Sequence, residues 1–189
     1  MITPARVTGF LVILIALSLY LGTLDNGLRL SELKGGDLIT HQYAQVQARP
    51  SNAPGYPLYT MGGWLWFRVG RGLFSSLFNP TETLSLYSTL WGLAALVTLY
   101  VLIREVTEDN WPIAALGTLF FSFTYFFWYY SSSTEQYTSA VFQTVLMVLW
   151  AFRWERTRQD KYLYGLALLA GLCLANLATS FSSCRHFSC

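Results

Sequence analysis

Uncharged apolar runs close to the thickness of a bilayer constrain this chain more than any other feature. Residues 7–24 (VTGFLVILIALSLYLGTL), 82–103 (ETLSLYSTLWGLAALVTLYVLI), 112–130 (PIAALGTLFFSFTYFFWYY) and 162–179 (YLYGLALLAGLCLANLAT) each approach the roughly 20 residues that cross a membrane as helix. A fifth run, 136–152 (QYTSAVFQTVLMVLWAF), is shorter but carries no charge. Composition agrees, because 12% charged residues is about half the ~25% of a soluble domain, and 53% of the chain is hydrophobic. A net charge of +2, spread over scattered Lys and Arg, excludes a nucleic-acid partner. No small-residue cleavage site follows the first run, which therefore reads as a retained anchor.

Between the first two runs lies the stretch SNAPGYPLYT, residues 51–60. Pro54 and Pro57 fall here beside Gly55 and Tyr56, and Pro50 immediately precedes it. Proline fixes φ and biases the preceding residue toward extended geometry, so this stretch is expected to be a stiff, non-helical connector. The following residues, up to Phe78, are apolar but interrupted by Arg68 and Arg71, two charges that cost several kcal/mol at mid-bilayer depth. An interfacial position suits them better, with Trp64 and Trp66 at headgroup depth. Arg68 and Arg71 are also candidates to meet a lipid phosphate, by bidentate hydrogen bonding.

Counting five spans with the amino terminus inside puts Arg6, Arg104 and the cluster RWERTRQDK (153–161) on the cytoplasmic side, as the positive-inside rule requires. The 25–81 loop and the turn SSSTEQ then lie outside. A six-span arrangement with its amino terminus outside also keeps the basic cluster inside, so the charge rule does not separate the two. The fold class expected is an all-α membrane protein of about five transmembrane helices, with interfacial helices in a long first outer loop.

Two acids stand out. GGDLITHQYAQVQA predicts a surface-lying amphipathic helix, with Asp37 as its N-cap and Leu38, Ile39 and Val46 on one side. His41 on that helix reads as a surface residue. Glu135 is the only charge between Pro112 and Phe152, and Ser133 with Gln136 has the spacing of a capping box around it. Both acids have an ordinary reading, as cap and as first-turn charge. Two carboxylates at one face of an uncharged bundle are equally a candidate acid/base or metal pair.

GDLI (36–39), PGYPLYT (54–60), EQY (135–137) and GLCLANLAT (171–179) occur in the order and spacing of a multi-span membrane family grouped with protein O-mannosyltransferases and C-type glycosyltransferases, which the chain resembles over about residues 8–180. The resemblance implies transfer of a sugar, mannose foremost, from a polyprenyl- or dolichyl-phosphate-linked donor to a hydroxyl on a protein or glycan acceptor at the outer face. It implies Asp37 as general base and Glu135 as the group orienting the acceptor or a divalent cation. Pro54, Gly55, Tyr56 and Pro57 would hold Asp37 in place. The expected location is the bacterial inner (plasma) membrane, as a multi-pass protein.

Where the family has a His-Pro pair before PGYP this chain has Asn52 and Ala53, and in place of a later Asn-His it has Asn176 and Leu177. Residues 1–180 read as the amino-terminal part of the glycosyltransferase-like domain. Residues 181–189 read as an atypical tail, of truncated or frame-shifted character, in which Cys184, His186 and Cys189 lack a fourth metal ligand. The 189-residue chain by itself is expected to be inactive. A non-catalytic membrane scaffold or a transporter fragment remains the alternative, although the spans offer few polar groups for a transport path.

Overall fold

The computed structural model describes residues 3–27, 37–52 and 55–177, and among these all regular structure is helical. The helices are α1 (Pro4–Gly22), α2 (Asp37–Gln47), α3 (Pro57–Phe74), α4 (Pro80–Val106), α5 (Trp111–Ser122), α6 (Tyr125–Ser131), α7 (Tyr137–Thr157) and α8 (Asp160–Leu177). Proline opens α1, α3, α4 and α5 at its first or second position, where a missing N–H costs nothing and the fixed φ is already helical. At α4 the start is reinforced by a capping box between Asn79 and Glu82.

Long-range contacts give the direction of each helix. Tyr100 Oη donates to the carbonyl of Ala5, so α1 and α4 run antiparallel. Tyr20 Oη donates to the carbonyl of Ser122, and Val12 packs with Ala114 and Ala115, so α1 and α5 run parallel. Gly165 meets Trp150 and Cys173 bonds Gln143, which makes α7 and α8 antiparallel. One end of the bundle therefore gathers Arg6, Arg104 and the 153–161 cluster, where Arg153 pairs with Glu105 and Arg104 with Asp109. The other end gathers residues 23–27, α2, the start of α3 and the 131–136 turn.

Small residues let the helices approach closely. Ala16, Tyr20, Ala95, Leu96 and Phe127 form one buried cluster, and Val12, Tyr100, Ala114 and Ala115 a second. Outward faces are apolar, with Phe10, Leu116, Phe120 and Leu168 all exposed, as lipid-facing positions would be. Helices α1 and α4 are each long and apolar enough to cross a membrane. Together α5 and α6 would form a third span, bent by 72° at Phe123–Thr124.

That bend corrects the expectation of one straight span over 112–130. Ser122 and Thr124 turn their hydroxyls back onto the carbonyls of Leu119 and Phe121, competing with the helical ladder where it breaks. A second correction concerns residues 51–60. The chain is not extended throughout, because Gly55 and Tyr56 take left-handed φ values of 92° and 41°, and Pro57 then starts α3. Pro54 and Ala53 lie outside the described residues, as does the 181–189 tail with Cys184, His186 and Cys189.

Candidate active site

The end of the bundle away from the basic cluster is polar inside. Ser85, Ser88, Thr89, Ser131, Ser132, Ser133, Thr134 and Thr138 are all buried there, at the start of α4 and around the α6–α7 turn. Their hydroxyls tie the turn to α4: Thr89 donates to the carbonyl of Ser131 at 2.7 Å, and Ser85 and Thr134 pair at 3.1 Å. Ser88 accepts from the Glu135 N–H at 3.0 Å and donates to the Glu135 carbonyl at 3.1 Å. Its single proton is thus used, so Tyr59 Oη, 2.7 Å away, is the donor in the Tyr59–Ser88 bond. Backbone and neighbours fix Glu135 from both sides.

No capping box forms at α7. Gln136 occupies the N-cap without a side-chain bond, and Ser133 instead donates to the carbonyl of Tyr129 at 2.7 Å. The Glu135 side chain is consequently free of a capping duty, and it is buried, only 6% exposed. Burial, with Asp37 nearby adding repulsion, raises its pKa to about 7.

The residue facing it is His41. Nε2 of His41 lies 3.7 Å from Oε2 of Glu135. The surface role expected of His41 is wrong, since the ring is 1% exposed, with Tyr56 and Tyr59 packed around it at centroid distances of 5.8 and 6.3 Å. Burial lowers its pKa, against the opposing attraction of Asp37, so the imidazole is neutral near pH 7. Its other nitrogen, Nδ1, is 2.6 Å from the Ser51 hydroxyl.

Asp37 itself is exposed in the first turn of α2, and its carboxylate accepts from the Asn52 amide. Asn52 thus ties the connector back to the acid. The face of α2 turned inward is Leu38, His41, Ala44 and Gln45, while Ile39, Tyr43 and Val46 form an exposed apolar stripe. Leu38 therefore does not share a face with Ile39 and Val46. His41 and Glu135 meet from segments distant in sequence, and Asp37, one turn before His41 on α2, acts on both electrostatically.

Sequence reasoning passed over Asp25, which is fully buried. Its N–H donates to the Ser132 carbonyl at 2.8 Å, and its carboxylate accepts from Gly27 N–H at 2.8 Å and from the Gln42 amide at 3.4 Å. This one residue ties the end of α1 to α2 and to the turn that carries Glu135. An isolated Asp after an apolar run, followed by Asn-Gly, was the available signal.

Arg68 and Arg71 sit farther along α3. They line a cavity of about 470 Å³ with Val46, Phe67 and Gly72. Arg71 also donates to the Phe78 carbonyl at 3.0 Å, and Arg68 lies over the Trp64 ring. A larger groove of about 720 Å³ runs between the end of α2 and α3, bordered by Arg49, Gly55, Pro57, Met61, Trp64 and Leu65. Among the described residues no three His, Cys, Asp or Glu side chains converge as metal ligands.

A profile described as the protein O-mannosyl-transferase TMEM260 N-terminal domain matches residues 36–183, and so spans most of the chain, including Asp37, His41 and Glu135. The chain belongs to this family. No curated protein and no solved structure matches it. The TMEM260 N-terminal domain assignment places the chain with O-mannosyltransferases, and the apolar helices make it a membrane protein.

Proposed function

We propose that the chain forms the amino-terminal part of an integral-membrane glycosyltransferase, with its acid/base centre at the outer end of a five-span bundle. The observation that supports this reading is the contact of His41 with Glu135, within electrostatic reach of Asp37, at the end remote from the basic cluster. The alternation of helix directions favours five passes, α5 and α6 counting as one, with α2 and α3 on the outer surface.

In this reading Asp37, exposed and held by Asn52, takes the proton from an acceptor hydroxyl as it attacks the anomeric carbon of the donor sugar. The donor's sugar–phosphate bond breaks and the lipid phosphate leaves with its negative charge. Glu135 orients the acceptor from the buried side, and a rigid shell of hydroxyls keeps it in place. Arg68 and Arg71 are suited to a polyprenyl or dolichyl phosphate, and the apolar groove beside α3 to its chain. The donor sugar is mannose, as the family description supports, and the acceptor a protein or glycan hydroxyl. The described residues do not supply a resident divalent cation with ligands, so no step is assigned to one.

The test is Asp37→Asn in an enzyme-active form of the protein supplied with lipid-linked mannose and peptide acceptors. The variant keeps the hydrogen-bonding shape and should lose transfer by at least about 100-fold, the usual contribution of a general base. Near-parental transfer would remove Asp37 from the chemistry.

A further inference from the structure

Glu135 is a buried carboxyl whose Oε2 has no hydrogen-bond partner, yet a neutral imidazole nitrogen faces it at 3.7 Å. Which form of that imidazole is present decides whether Glu135 meets an N–H or a lone pair. The Ser51 hydroxyl lies 2.6 Å from the other ring nitrogen, Nδ1. A hydroxyl can donate or accept, so the bond at Nδ1 by itself admits either tautomer; the second constraint is at Nε2, which faces a carboxylate oxygen.

We propose that Ser51 and His41 act together as a positioning pair for Glu135: the Ser51 hydroxyl donates to Nδ1, which fixes the tautomer that presents Nε2–H to the Glu135 carboxylate. The arrangement is reached because the chain leaves α2 through a left-handed Ala48, φ 55°, with the Arg49 N–H on the Ala44 carbonyl, which turns residue 51 back beside the middle of α2. The remaining groups around the pair are Asp37 from α2, Tyr56 and Tyr59 from the connector and α3, and Tyr137 from α7; α4 contributes the neutral Ser88. Among these, Asp37 is the one carboxylate, and its repulsion works against ionisation of Glu135. An Nε2–H donor works the other way and keeps Glu135 available as a carboxylate near neutral pH. The assignment of Glu135 to the acceptor side rests on the function proposed above; the tautomer relationship does not.

The experiment is an infrared titration of the purified 189-residue chain, following the protonated-carboxyl band that Glu135→Gln removes. Ser51→Ala should raise the pH midpoint of that band by a few tenths of a unit up to about one, because the N–H dipole facing the carboxylate across 3.7 Å is lost. Ser51→Thr, which retains the hydroxyl, should return it to the parental value. His41→Gln presents an amide N–H that does not depend on Ser51, so adding Ser51→Ala to it should produce no further shift. An unmoved midpoint in Ser51→Ala, or an equal shift in the His41→Gln background, overturns the proposal. In an enzyme-active form, Ser51→Ala should displace the acid limb of the transfer profile by the same amount. Loss of that displacement with the infrared shift intact would count against the catalytic reading of Glu135 and leave the pair standing.

Discussion

Nε2 of His41 lies 3.7 Å from Oε2 of Glu135, so a helix in the first loop meets the turn between α6 and α7 through two ionisable groups in a buried setting. Neither group is exposed to water, and each is shifted toward its neutral form. Burial is the larger cause in both cases.

A stability profile follows from Glu135. Its pKa is about 7 in the folded protein against an ordinary 4.5, so the folded state binds the proton more tightly than the unfolded state. The stabilisation is fully present below about pH 4.5 and is lost as pH rises through about 7. Glu135→Gln should remove this component, and the parent-minus-variant difference in melting temperature, measured in detergent from acid to mildly alkaline pH, should fall as pH rises. The free-energy change is on the order of 3 kcal/mol. A difference that is flat with pH would show that Glu135 is not desolvated.

Asp25 predicts a mechanical effect. Removing its carboxylate in Asp25→Ala leaves the Gly27 N–H and the Gln42 amide without their acceptor. The expected loss is about 1–3 kcal/mol, with α2 loosened from the Glu135 turn. Proteolysis within 37–52 should accelerate relative to cleavage at the basic end, and equal acceleration at both ends would refute a local role.

The packing of α2 on α3 is tested by two glycines of the same helix. A Cβ at Gly63 would lie 2.3 Å from the Gln45 amide carbon, whereas one at Gly72 meets nothing within 4 Å. Gly63→Ala should therefore destabilise the protein by about 1–3 kcal/mol through overpacking. Gly72→Ala should be neutral or stabilising by about 0.5–1 kcal/mol, since it only restricts the unfolded chain. Similar thermal shifts for the two would mean that α2 and α3 are not in close contact.

The apolar helices α1 and α4 were legible because run length is a local pattern, and the acids drew attention for local reasons too: Asp37 for its place after a glycine pair at a helix start, Glu135 for its isolation among uncharged neighbours. His41 was misread because a histidine on a polar, amphipathic stretch gives no sign of what will cover it. Its burial comes from Tyr56, Tyr59 and Glu135, all contributed by segments remote in sequence. The start of α3 was missed for a different reason. Proline reads as a helix breaker inside a run, yet at the first position it favours the helix, and only the left-handed turn at Gly55 and Tyr56 places Pro57 there. The break in 112–130 had a faint signal in Ser122 and Thr124, outweighed by the surrounding aromatics.

The final prediction concerns which end of the bundle faces outward. Gln45 on α2 and Ser132 in the α6–α7 turn are fully buried, so cysteines there would stay unreactive on either side of a membrane. Ser76, exposed just beyond α3, and Gln159, exposed between α7 and α8, report the two ends without that ambiguity. In a background with Cys173, Cys184 and Cys189 replaced by serine, Ser76→Cys should react with an impermeant maleimide in intact cells. Gln159→Cys should react only after the membrane is opened. The physical reason is the charge asymmetry: Arg104, Arg153, Arg156, Arg158 and Lys161 share the Gln159 end, and short basic loops are retained on the cytoplasmic side. The acid/base centre would then work outside, where a lipid-linked sugar meets its acceptor. Labelling of Gln159→Cys with protection of Ser76→Cys would invert the bundle and place Asp37 and Glu135 in the cytoplasm. Labelling of both would show that an odd number of passes does not separate the two ends.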